Sequence, residues 1–417
     1  MMTEPRAAGR SKATALLRDP AYAHYWLSQI ISQVGTWMQT ASQAWLVLTL
    51  TGSAQSLGIV VACQYLPALA LSLPAGVLAD QCSKRRLLLV TQVGMTFLAA
   101  VMAVIVHEGL AQYHHILGFA LLYGAVNAMG QPARQAFAVE LAGSENVSAA
   151  ASLNSLSFNV ARLLGPAVSG LIIMRWGVAW AFAANALSFL PMVWFLSFAS
   201  IHVSAGNHLA KSIADPREGL AYVWSTPLVR NVMLLMTWMG AFGLSMHTLV
   251  PAYARLVLGL NAEGYGFLVA SVGVGAVCGA LWQGLTGGAS QQRIVGGATV
   301  LAVVYALLSL PLTAAGCAVL MMLAGFAMVT VLINANTMVQ TVTPSRLRGR
   351  VTSIYVLVIL GMNPLGAYIT GFAFDLLGGR LATGVLGVAI LGGVAVFASI
   401  QSRPRVAQVT ATVALAA

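Results

Sequence analysis

Arg162 stands alone in an apolar run of about 25 residues, roughly 150–174, that holds no acidic residue. A lone arginine at mid-bilayer depth costs at least ~2.5 kcal/mol on insertion scales, so its guanidinium has to face water or hydrogen-bond acceptors. Ser155, Asn159, Arg162, Pro166 and Ser169 recur at steps of three and four, which puts them on one face of a helix. The same spacing lines up Gln29, Gln33, Thr36, Thr40 and Gln43 in an earlier run, and Thr330, Asn334, Thr337 and Thr341 in a later one. Asn231, Trp238, Phe242 and Ser245 make a more aromatic face. Hydrogen bonds between packed spans would explain any single stripe without a ligand. Several stripes rich in Gln and Asn are better explained by a shared wet cavity. Its candidate wall is Gln33, Thr36, Trp37, Thr40, Gln43, Asn127, Asn159, Arg162, Trp238, Asn334 and Thr337. An unpaired cation there can bind an anionic or oxygen-rich molecule. It can also act as a fixed charge whose hydration differs between two conformations.

The chemistry on offer is binding, not bond-making. Cys63, Cys82, Cys278 and Cys317 are scattered without metal-ligand spacing, and no catalytic constellation is present. We expect no enzyme, no cofactor and no metal. Asp80, Glu140 and Glu145 fall at one end of the apolar runs, and Glu108, Glu263 and Asp375 at the other, so no carboxylate is expected at mid-depth. His247 is the one histidine well inside a run. Histidine titrates near neutral pH, which makes His247 a candidate proton site; a neutral histidine in the cavity wall is the plainer alternative.

These residues need a membrane-spanning scaffold. Hydrophobic residues make up 59% of the chain and charged residues 7%, against about 25% charged in soluble domains. At roughly 20 apolar residues per span, about twelve spans fit, near 24–48, 56–79, 87–106, 115–135, 150–174, 178–198, 228–252, 264–285, 293–313, 317–341, 351–375 and 382–400. The polar stretch after the sixth contains Lys211, Asp215, Arg217 and Glu218 and divides the chain into halves. The expected organisation is a six-helix half over 1–199, a linker over 200–227 and a second half over 228–417. The N-terminal 20 residues are polar and basic, without the apolar core of a cleavable signal.

The net charge of +11 reads as topology rather than nucleic-acid binding. Alternate loops, with Arg134 counted among them, hold most of the cations, which puts both termini in the cytoplasm. The sharpest loop is Gly76-Val77-Leu78-Ala79-Asp80-Gln81-Cys82-Ser83-Lys84-Arg85-Arg86. Its cations mark a cytoplasmic turn. Asp80 stands where one helix ends and another starts, placed to accept from free helix N–H groups or to pair with an arginine.

Gly76, Asp80, Lys84 and Arg85 resemble the loop signature of the major facilitator superfamily, Gly-x-x-x-Asp-Arg/Lys-x-Gly-Arg-Arg/Lys. Gln81 and Ser83 depart from it. Gly165-Pro166-x-x-Ser169-Gly170 is similar to the superfamily's fifth-helix antiporter signature, with serine at one glycine. Asn154, Asn159 and Arg162 ahead of it, with Pro132-Ala133-Arg134-Gln135-Ala136, look like the branch of enterobactin exporters and macrolide efflux proteins. The resemblance implies an all-α membrane protein of twelve transmembrane helices in two pseudo-symmetric halves, working by alternating access in the bacterial inner membrane. It implies a gating role for Gly76, Asp80, Lys84, Arg85 and Arg86, and export of a drug-like compound or siderophore driven by protons. A monomer is expected, with the lipid bilayer as its surroundings. A nutrient importer or a lipid transporter would use the same fold. A receptor or scaffold that transports nothing would need no polar cavity.

Overall fold

The computed structural model describes residues 13–198 and 216–402. These form α1 (Pro20–Thr51), α2 (Ala54–Gln81), α3 (Lys84–His107), α4 (Tyr113–Ala142), α5 (Val147–Trp176), α6 (Val178–Ser188) and α7 (Leu190–Phe198) in the first half. The second half holds α8 (Pro216–Ser225), α9 (Pro227–Phe242), α10 (Met246–Ala252), α11 (Ala262–Thr286), α12 (Gln291–Leu307), α13 (Ala314–Val342), α14 (Ser345–Leu377) and α15 (Gly379–Ser402). Each expected apolar run coincides with a helix or a broken pair. Among the described residues, 9 helical stretches are long and apolar enough to cross a membrane. The runs in α1, α4 and α12 fall outside that set, α12 being only 17 residues long. Lys211 and Asp215 of the expected linker lie outside the described residues. The end of that linker is α8, where Glu218 pairs with Arg346 and Arg350 at the start of α14.

Two spans are broken, one by a local residue and one with a distant partner. Pro191 lacks an N–H and crowds the preceding turn, so the sixth span is interrupted at Phe189 between α6 and α7. The seventh is interrupted at Gly243–Ser245, where the Tyr305 hydroxyl donates to the Gly243 carbonyl at 2.9 Å. That bond satisfies an acceptor which lipid could not. Arg346, Arg348 and Arg350 begin α14, which starts at Ser345, just after Pro344.

Helices meet where side chains are absent. A Cβ on Gly124 of α4 would collide with the Gln64 carbonyl of α2, and one on Gly275 of α11 with the Met322 carbonyl of α13. The halves join in the same way along two seams. On the first, Gly58 of α2 lies against Ala367 of α14, and Gly371 of α14 against Ala54. On the second, Gly170 of α5 lies against Ala262 and Gly266 of α11. Small residues at such contacts let backbones approach and gain dispersion where lipid offers no hydrophobic drive. The apolar core is continuous across the junction: Met38, Trp45 and Ala54 of the first half pack into the cluster around Met236, Leu301, Tyr305 and Met321, and Ala367 of the second into that around Tyr123, Phe182 and Phe189.

Glycines that touch nothing provide the control. Nothing lies within 4 Å of a Cβ on Gly76, although it belongs to the loop signature. Gly76→Ala should therefore raise helix stability by about 0.5–1 kcal/mol. Gly124→Ala should lower stability by about 1–3 kcal/mol through overpacking. Thermal unfolding of the two variants in one detergent checks the contrast.

Candidate functional site

Asp80 and its neighbours lie at what we term the basic end of the bundle; Glu108 and Asp375 lie at the far end. α2 runs on to Gln81, so Asp80 sits in its last helical turn rather than beyond it. No glycine or proline follows Gly76 to stop the helix earlier. Asp80 is exposed and makes no hydrogen bond or ion pair among the described residues. The cations are engaged within the first half. Lys84 pairs with Glu140 of α4 at 2.5 Å, with only 11% and 17% of the two side chains exposed. Arg85 Nε donates to the Leu196 carbonyl at 2.6 Å and Nη2 to Ser197 at 3.2 Å, at the C-terminal end of α7 where cations are favoured. Arg86 is exposed.

The fifth-helix signature is a two-sided contact. Gly165 admits α1, since a Cβ there would meet Trp37, Met38 and the Val34 carbonyl. Gly170 admits α11 of the other half. Ser169, standing at a glycine position of the signature, shares a 2.8 Å hydrogen bond with Ser42 of α1. Pro166 cannot donate to the carbonyl four residues back, which is that of Arg162.

Arg162 therefore combines a free carbonyl with a guanidinium that no carboxylate neutralises among the described residues. Its Nη2 donates to Asn159 Oδ1 at 3.2 Å, and its charge lies 5.9 Å from the Phe158 ring centroid, within cation–π reach. Phe158 meets Trp37 edge-on at 5.5 Å. Trp37 in turn lies 5.4 Å from the His247 ring, which lies 6.4 Å from Tyr65. His247 comes from α10 in the second half, and Trp37, Tyr65, Phe158 and Arg162 from the first. The result is an aromatic wall closed by an arginine, spanning the junction of the halves. Ala151, Ser152, Asn154 and Ser155 on the basic side of this wall are exposed.

Other candidates extend the wall along α1. Thr36 accepts from the Tyr123 hydroxyl at 3.3 Å. Thr40 back-bonds to the Thr36 carbonyl at 2.9 Å. Gln43 Nε2 donates to Gln64 Oε1 at 3.1 Å, leaving its own Oε1 buried without a partner. Gln33, Asn127 and Thr337 are half-buried and make no hydrogen bond among the described residues.

Three sequence expectations need correction. Asn334 is 1% exposed; it accepts from the Ser290 N–H at 3.1 Å and donates to Thr330, bracing the turn between α11 and α12. Trp238 donates its indole N–H to the Ala389 carbonyl of α15 at 2.7 Å, so it packs α9 on the last helix rather than on the wall. Arg134, expected in a loop, lies within α4, where Nη1 donates to Gln131 at 3.3 Å and Nε is buried without a partner. The sequence reasoning also overlooked Phe158 and Tyr65. Phe158 was findable, one helical turn before Arg162; Tyr65 carries no such spacing.

Every described carboxylate lies at a helix end, and the halves meet around a polar, aromatic wall. This architecture is that of a major facilitator transporter. The chain belongs to the transmembrane secretion effector family, whose profile matches residues 11–414. The staphyloferrin A transporter of Staphylococcus aureus is 26% identical over 259 residues, covering 62% of this chain and 65% of that protein. The enterobactin exporter EntS of Shigella boydii is 26% identical over 284 residues, covering 64% of each. These alignments thus span just under two-thirds of the curated relatives. Among solved structures, the nucleoside transporter NupG superposes with a TM-score of 0.76 at 11% identity, covering 92% of this chain and 100% of that one. A bacterial homologue of the lysosomal transporter Spinster gives 0.73 at 13% identity, covering 92% and 97%. At such identity the structures show the fold alone. The family and these relatives are transporters, not enzymes, and the chain is a multi-pass membrane protein of a bacterial family.

The contacts separate two roles at the basic end. Glu140→Ala, which removes the carboxylate of this largely buried ion pair, should cost about 3 kcal/mol. Asp80→Asn, at an exposed side chain without a partner, should change stability by less than about 0.5 kcal/mol. Denaturant titrations of the two purified variants test the difference.

Proposed function

We propose that this chain is a secondary active exporter in the bacterial inner membrane, moving an anionic small molecule that carries flat, unsaturated rings. The observation that carries the reading is Arg162, without a carboxylate partner among the described residues and flanked by Phe158, Trp37, His247 and Tyr65. Guanidinium offers forked donors to carboxylate or catecholate oxygens, and the rings stack on a flat substrate. The two relatives named for siderophores support an oxygen-rich, anionic substrate. Transport follows alternating access, with the halves rocking about this wall. The basic end is the cytoplasmic one by its cations, so the free Asp80 and the exposed face of α5 fit a state open to the cytoplasm. Proton coupling rests on resemblance, with His247 as its candidate residue. Both termini are cytoplasmic in this reading, the halves divide within 200–227, and the unit is a monomer.

A second reading draws on an apolar groove of about 530 Å³ between α1 and α6–α7, lined by Leu27, Ile31, Leu187, Leu190 and Trp194. It would suit an acyl chain entering sideways from the bilayer.

Inside-out vesicles decide between them. With a proton gradient imposed, they should accumulate catechol- or carboxylate-bearing chelators in preference to neutral drugs or lysolipids. Arg162→Ala should cut uptake of the anions about tenfold or more, a charge-assisted hydrogen bond being worth about 1.5–3 kcal/mol, and Arg162→Lys less. Normal uptake of every compound by folded Arg162→Ala protein would remove the arginine from the site, and lysolipid uptake alone would favour the second reading.

Orientation has its own measurement. Single cysteines at Ser83 and Ser345 should resist an impermeant thiol reagent in intact cells, while one at Gly109 should react. The reverse labelling pattern would invert the topology.

A further inference from the structure

Among the described residues, the hydrogen bonds between the halves converge on one helix start. Asp375, in the last turn of α14, accepts from the Ala54 N–H through Oδ1 at 2.8 Å. Its Oδ2 accepts from the Gln55 N–H at 3.1 Å and from the Ser53 hydroxyl at 2.5 Å. Ala54 and Gln55 open α2, so these N–H groups have no acceptor within their own helix. Ser53 Oγ already accepts from Ser56 N–H at 3.0 Å. The first turn of α2 is thus capped twice, once by its own half and once by a carboxylate of the other. Gly371, one turn before Asp375, and Gly58, one turn into α2, allow the two backbones to touch. Gln55 Nε2 adds a 3.4 Å contact to the Tyr368 hydroxyl.

The opposite seam closes differently. Trp45 of α1 stacks on Tyr265 of α11 at 5.6 Å, with Arg255 lying 4.9 Å over its ring. That clasp is aromatic and supplies no acceptor for a helix start. The far end is therefore held by one polar and one aromatic closure, and only the polar one depends on a single side chain.

We infer that Asp375 is a positioning residue of the transport cycle: its carboxylate, by capping α2 across the junction, holds the far end shut. It touches no residue of the aromatic wall and acts through α2. Its negative charge meets the positive end of the α2 dipole, and its bonds are charge-assisted, so the closed arrangement gains from charge as well as geometry. Asp375 is exposed at its rim. Water can therefore replace each bond on opening, which keeps the latch reversible. Removing it shifts the populations of the two states without touching the substrate wall.

The test uses the full-length protein with its four cysteines replaced and spin-label pairs at each end. One pair, Glu108 and Leu310, reports the far end; the other, Ser83 and Ser345, reports the basic end. Asp375→Ala should move population toward longer far-end and shorter basic-end distances, by about tenfold in the ratio of states. Asp375→Asn keeps one acceptor oxygen but loses the second and the charge, and should fall between, and Ser53→Ala should shift less. Unchanged distances at both ends in folded Asp375→Ala protein overturn the inference, and a lowered melting point with unchanged distances does so equally, since it leaves a structural cap. If the alanine variant does not fold, the asparagine variant decides by the same two distances.

Discussion

The halves of this protein touch backbone to backbone. In a bilayer the helices already satisfy their own hydrogen bonds, so what brings them together is how closely their surfaces can approach. Gly58, Gly371, Gly170 and Gly266 set that approach along both seams. Everything else at the junction depends on it. Asp375 reaches the start of α2 because Gly371 lets α14 lie against Ala54. Trp45 stacks on Tyr265, the neighbour in sequence of Gly266. The aromatic wall, with His247 from one half and four residues from the other, exists only at this separation.

Much of that plan was legible in the sequence. Apolar runs of adequate length gave the spans, since a bilayer imposes its thickness on any chain that crosses it. Steps of three and four gave the face that carries Arg162, because helical periodicity is local. Partners across helices were not legible. Asn334 and Trp238 have the composition of cavity residues, yet each is taken up by a backbone group that no spacing reveals. Arg134 stands at the end of the fourth apolar run and counts there as a loop cation, but α4 carries on through Pro132 to Ala142. The break at Gly243–Ser245 depends on which neighbours satisfy the freed groups, and Tyr305 lies 62 positions from the carbonyl it supports.

Arg162 and Pro166 act as one unit. The proline frees the carbonyl of the residue that also carries the only cation on that face, so donor and acceptor are offered at the same depth. Asn159 and Phe158 hold the guanidinium from its own helix. The Lys84–Glu140 and Arg85–Leu196 contacts bind the loop charges to the first half, leaving Asp80 as that loop's one carboxylate without an engagement.

The interruption of the seventh span has a mechanical meaning. α9 packs on α14 and α15 of its own half, whereas α10, only three residues further on, packs on α1 and α2 of the other half as well as on α14. One span is thus geared to both bodies. Any rotation between them has to be absorbed as torsion at Gly243–Ser245 or as slippage of α10 over its neighbours. His247 rides on the segment just past that joint, so the ring nearest Trp37 is also the one mounted on the swivel.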